Sequence, residues 1–115
     1  MSTITLVNVS TLDDLGDTIG RDRLNRLVER FAAALGDAFT GEERSAADLG
    51  REAHTLVSMA GMLGCDALCA ACRALEYGAK QGGDVAPLLA EARRLRDETL
   101  EALAVGGEGR ASQSA

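Results

Sequence analysis

Apolar positions recur along this chain at steps of three and four, the spacing of one face of an α-helix. Leu24, Leu27, Val28, Phe31, Leu35 and Phe39 predict a long helix from about Asp22 to Phe39, ended by Thr40 and Gly41. Leu49, Ala53, Leu56, Ala60 and Leu63 step by four, three, four and three, a clean buried stripe. Ser45 suits the N-cap of that second long helix, and Gly64 suits a left-handed residue at its end. Leu68, Cys72, Leu75 and Ala79 form the inner face of a third, from Cys65 or Asp66 to the break at Gln81, Gly82 and Gly83. Val85, Leu88, Ala92, Leu95, Thr99 and Leu103 carry the stripe of a fourth, with Asp84 as cap and Pro87 tolerated in the first turn. A shorter helix precedes these. Its expected start is Thr11, a capping hydroxyl followed by Asp13 and Asp14 where the helix dipole favours acids, and its expected end is Gly20. Ile4, Leu6 and Val9 read as an extended lead-in.

Four helices of about 17–20 residues with short connections favour antiparallel neighbours. The expected fold is all-α: an up-down-up-down four-helix bundle about 25–30 Å long, with the short extra N-terminal helix at one end. The expected divisions are a lead-in over 1–10, the bundle over 11–105 and a disordered tail over 106–115, which carries no hydrophobic pattern. At 115 residues the chain suits one domain. Composition agrees, since 46% of the residues are hydrophobic but only 3% aromatic, and a single proline is present. Alanine and leucine thus dominate, as helices prefer. The net charge of −6 argues against nucleic acid or an anionic membrane as the main partner. No apolar run reaches the roughly 20 residues of a membrane-spanning helix, and the N-terminus lacks the pattern of a secretory signal. A cytoplasmic monomer is the expectation. Three cysteines, an odd number, suit a reducing compartment.

The chain has one histidine, His54, in the stretch from Ala53 to Gly64. On a helix it shares a face with Ala47, Gly50, Arg51, Val57, Ser58 and Gly61, almost all of them small. It stands about 100° off the buried stripe, because Ala53 and Leu56 face inward. A merely solvated helix face usually carries long charged side chains, and here only Arg51 does. An exposed histidine on a smooth surface can be reached by another protein, which suits chemistry carried out between two proteins.

The segment A-H-T-L-V-S-M-A-G-M-L-G-C-D-A-L-C-A-A-C-R-A-L-E resembles the signature of the histidine phosphotransfer (HPt) domain. The matching positions are Ala53, His54, Leu56, Gly61, Leu63, Gly64, Leu68, Cys72, Leu75 and Glu76, and the five-helix plan extends the likeness over 10–105. The resemblance implies a phosphoryl carrier in a multistep phosphorelay of bacterial two-component signalling, without kinase activity of its own. His54 would accept the group from the phospho-aspartate of a response-regulator receiver domain and pass it to a second one. A hybrid histidine kinase would be a further partner. The resemblance also implies that the receiver supplies the aspartate, a lysine and Mg²⁺, so that the carrier needs no cofactor of its own. An exposed imidazole is largely neutral near pH 7, as a nucleophile must be. No nucleotide-binding glycine motif is present.

Two positions depart from the family pattern. Val57 stands where the family usually has lysine, and Ser58 where it usually has glycine. A phosphoryl group brings nearly two negative charges, and a neighbouring cation would stabilise them. Arg51 is the cation near enough in sequence to substitute, and the Ser58 hydroxyl can donate a hydrogen bond. The expected docking surface is Ala47, Gly50, Val57, Gly61 and Met62 around His54. The missing lysine keeps a second function open: a non-phosphorylated helical adaptor, or a decoy that binds and inhibits receiver or kinase domains.

Cys65, Cys69 and Cys72 lie on one face of a single helix. Three ligands on one helix converge poorly on a tetrahedral metal, so small buried hydrophobes are the better reading and no metal site is expected. Cys65, near a helix N-terminus, is the one expected to be more reactive. The chain carries eleven arginines and one lysine. Arg93, Arg94 and Arg96 form one cluster and Arg21, Arg23 and Arg26 another, read as solvated surface with contact to an acidic receiver as the functional alternative.

Overall fold

The computed structural model describes residues 6–41 and 44–114, with side chains as far as 104. Its elements are α1 (Val9–Ile19), α2 (Arg21–Asp37), α3 (Ala46–Met62), α4 (Asp66–Gln81) and α5 (Ala86–Ser114). There is no strand among the described residues. The all-α expectation holds, and each predicted stripe turns inward. Leu24, Val28, Phe31, Leu35, Leu49, Ala53, Leu56, Ala60, Leu63, Leu68, Cys72, Leu75, Ala92, Leu95 and Leu103 are all buried in one core. α3 packs most extensively on α4, α4 packs on α5, and α2 on both α5 and α1. Gly50 lets α3 approach α4 closely: a Cβ there would lie 3.0 Å from the Ala79 Cβ.

The helix ends correct the sequence reading in two places. The cap of α1 is Asn8, whose side chain accepts the Thr11 N–H at 3.2 Å, so Thr11 lies inside the helix rather than starting it. The Asn8 N–H in turn donates to the Gly64 carbonyl at 2.8 Å, tying α1 to the α3–α4 turn. Val9 therefore begins a helix and is 65% exposed, whereas Leu6 packs partly buried against the core. Ile4 lies outside the described residues.

The second correction is at the end of α2, which stops at Asp37 rather than Phe39. Phe39 takes a left-handed φ of 59° that swings its ring fully into the core as the chain turns away. Such a backbone costs about 1–3 kcal/mol, and surrounding contacts must hold it. They do: the Phe39 N–H donates to Glu52 and its carbonyl accepts from Arg93 at 3.0 Å. Arg93 also donates to the Gly41 carbonyl, Arg96 to that of Ala38, and Arg44 both to that of Thr40 and to Glu52. Arg93 and Arg96 are thus not solvated ornament. They satisfy carbonyls of the turn that follows α2. Arg94 does fit the surface reading, since it pairs with Glu91 and Glu98 of its own helix.

The backbone of α5 is helical from Ala86 to Ser114. Elsewhere the predicted signals stand. Ser45 caps α3 by accepting the Asp48 N–H at 3.1 Å. Gly64 has φ 75°, with Cys65 N–H bonded to the Ala60 carbonyl and Gly64 N–H to that of Gly61, the paired bonds of a Schellman end. Asp84 accepts the Ala86 N–H at 3.0 Å at the start of α5.

Candidate functional site

His54 sits in the middle of α3, one residue past the buried Ala53, and 73% of its side chain is exposed. The surface around it is low. Ala47, Thr55, Ser58 and Gly61 are exposed without bulk, and Met62, two turns on, is 42% exposed. The α3–α4 contact opens beside the ring into a groove with a volume of ≈ 600 Å³. Ala47, Gly50, Arg51 and Thr55 line it from α3, and Glu76, Ala79 and Lys80 from α4.

The ring is held from that groove. His54 Nδ1 lies 2.6 Å from Glu76 Oε2, and Lys80 Nζ lies 3.2 Å from the same oxygen. Glu76 is the more enclosed partner, with 17% of its side chain exposed. Burial pushes its carboxyl up, but the hydrogen bonds from Lys80 and His54, and their charges, outweigh it and hold the group below the usual carboxylate range. Glu76 is therefore ionised at neutral pH and has no proton to give. In the neutral ring the hydrogen of the pair then sits on Nδ1 and the lone pair on Nε2. One carboxylate thus fixes both the ring's direction and its tautomer. The other nitrogen is left as a nucleophile on an open face.

The structure sorts the other expected site residues. Arg51 lines the groove, but its guanidinium pairs with Asp48 on its own helix, and that pairing holds the Asp48 carboxyl below the usual range. Ser58 is exposed and, among the described residues, makes no hydrogen bond to the ring. Ala47, Gly61 and Met62 are exposed. Gly50 is not, being buried against Ala79 as the floor of the groove, and Val57 is half-buried against the core. Sequence reasoning gave Glu76 only a place in the motif and missed Lys80 altogether. A signal for their pairing was present: glutamate four residues before lysine on one helix.

All three cysteines are buried with free thiols. Burial, with the nearby Asp66 carboxylate, pushes Cys65 up to about 12, so it is not the reactive thiol its place at a helix start suggested. Cys72 is likewise pushed up to about 12 by burial. No cluster of metal-binding side chains occurs among the described residues, nor is any helix long and apolar enough to cross a membrane. On α2, Arg21 pairs with Asp13 and Asp17 of α1. Arg23 and Arg26 join Arg30, Ile19 and Leu27 around a separate shallow groove.

Among protein-family models, the Hpt domain matches residues 19–105, which takes in α2 to α4 and the greater part of α5. No curated protein and no solved structure matches the chain.

Proposed function

The chain belongs to the Hpt domain family, whose members carry phosphoryl groups on a histidine in phosphorelays, and from that premise we propose that His54 is the phosphoacceptor. The observation that carries this reading is the 2.6 Å contact between Nδ1 and the ionised Glu76, which leaves Nε2 nucleophilic on a ring open to solvent. The donor is the phospho-aspartate of a receiver domain. The Nε2 lone pair attacks phosphorus, the P–O bond to the aspartate breaks, and the electron pair leaves with its carboxylate. The ring, now substituted at both nitrogens, gains positive charge, which the Glu76 carboxylate offsets through the Nδ1–H bond. Transfer to a second receiver runs the same steps in reverse. The protein is a carrier, and the chemistry beyond the nucleophile belongs to the receiver.

The docking surface in this reading is Ala47, Gly61 and Met62 around His54, with the exposed edge of Val57, while Gly50 shapes the groove beneath. Arg51 and Ser58 remain auxiliary contacts for the phosphoryl group, Arg51 in competition with Asp48. The helices form an antiparallel up-down-up-down four-helix bundle, monomeric and cytoplasmic, serving a bacterial two-component pathway that begins at a hybrid histidine kinase.

The test is acid-labile labelling. Incubated with a phosphorylated receiver, the wild-type chain takes up label and His54→Gln takes up none. A chain that binds the receiver and never acquires label is a decoy, and the carrier reading then falls.

A further inference from the structure

We infer that Lys80 is the phosphoryl-binding cation of this site, pairing with Glu76 when His54 is bare and with the phosphoryl group once His54 carries it. The inference rests on the carrier reading above and deepens it. A phosphoryl group on Nε2 brings nearly two negative charges to a ring already held by the Glu76 carboxylate. Without a cation the two anions repel across one imidazole, and acceptance is opposed. Two cationic side chains line the groove beside the ring, Arg51 and Lys80. Arg51 has its own counter-ion, Asp48, one turn earlier on α3. The counter-ion of Lys80 is the same Glu76 oxygen that holds the histidine. Its ammonium therefore already sits one hydrogen bond away from the partner of the reacting ring.

The side chain is free to make the exchange. Lys80 lies in the last turn of α4 with 70% of its surface exposed, on a four-carbon stem with three donors that can be re-aimed without moving the backbone. It is the chain's single lysine among eleven arginines. A compact point charge suits a partner that comes and goes, whereas a guanidinium would lock bidentate onto the carboxylate. The position that lysine usually occupies on α3 is the half-buried Val57 here, and the cation reaches the site from α4 instead.

The test uses the full chain and phosphoramidate, a small donor that needs no receiver. The P–N bond of the donor breaks, ammonia leaves, and the phosphorus bonds to Nε2. Labelling is followed by ³¹P NMR for wild type, Lys80→Met, Lys80→Arg, His54→Gln and Arg30→Met. The last removes an exposed arginine from the separate groove on α2 and controls for loss of one positive charge. The expected result is that Lys80→Met slows labelling about fivefold, as loss of one charge-assisted contact should. Lys80→Arg restores only part of the rate, because its guanidinium is held bidentate by Glu76, and Arg30→Met stays within about twofold of wild type. The phosphoryl resonance of Lys80→Met should also titrate at higher pH than that of wild type, because the ammonium no longer favours the dianion. That signature would not move if Lys80 only stiffened α4. Wild type that labels on His54 while Lys80→Met matches it in rate and titration overturns this inference and leaves the carrier reading standing. Wild type that gains no label on His54 overturns both.

Discussion

Glu76 serves two neighbours with one oxygen, and its charge matters more than its shape. Glu76→Gln keeps an acceptor near Nδ1 but loses the carboxylate. It should lower the rate of label uptake from a phospho-receiver about tenfold, which corresponds to about 1.4 kcal/mol of lost stabilisation as the ring gains charge. The same carboxyl gives a pH signature. Its folded pKa lies below the ordinary 4.5, so its contribution to stability is complete above that value and disappears as pH falls through the lower one. Thermal unfolding of wild type should therefore weaken with acidification below 4.5, and the Glu76→Gln curve should be flatter there. Thr99 offers a second residue-scale test. It is fully buried in the stripe of α5, and its hydroxyl has no partner among the described residues. Thr99→Val keeps the shape and removes the unmet hydroxyl, so the melting temperature should rise by about 4 °C for a gain of about 1 kcal/mol.

At the scale of elements, the hydrophobic pattern located the helices because it reports burial, and the same property misled it at their ends. Phe39 continues the stripe of α2 and is buried, yet it lies beyond the helix in a left-handed turn. Periodicity cannot distinguish a residue buried by a helix from one buried by a turn. Thr11 followed by acids made a good cap in isolation, but Asn8 won because its backbone also bonds Gly64, a contact between distant parts of the chain. Gly64 was legible since a local rule sufficed. It is doubly constrained, for a Cβ would meet the Asn8 carbonyl oxygen at 2.9 Å as well as straining the backbone at φ 75°. Gly82 has a similar φ of 72° with open space around it. Gly82→Ala should cost about 1 kcal/mol by strain alone. Gly64→Ala should cost measurably more in chemical denaturation, and the difference reads the crowding at Asn8.

For the whole molecule, the connection between α2 and α3 is fastened from the far end of the sequence, by Arg93 and Arg96 of α5 on carbonyls of Ala38, Phe39 and Gly41. Arg93→Met should speed amide hydrogen exchange around residues 38–41 and destabilise the fold by about 1–2 kcal/mol, while leaving label uptake on His54 intact. No sequence pattern announces such a bond, because a surface arginine and a clamping arginine look alike until the fold brings a loop beside one of them. The site shows the same division. His54 was legible as the sole histidine on a flat helix face. Its partners were not, because they belong to another helix and meet it only through the turn. His54 stands eleven residues before Cys65 and Glu76 eleven after, as opposite members of a helical hairpin do. An imidazole with 73% of its side chain in water has a further effect. On the proposed carrier role, a ring this open leaves its cargo within reach of water, so a loaded chain kept apart from any receiver should lose its label steadily. Such a molecule would be a leaky store, its message lasting only as long as the next recipient is prompt.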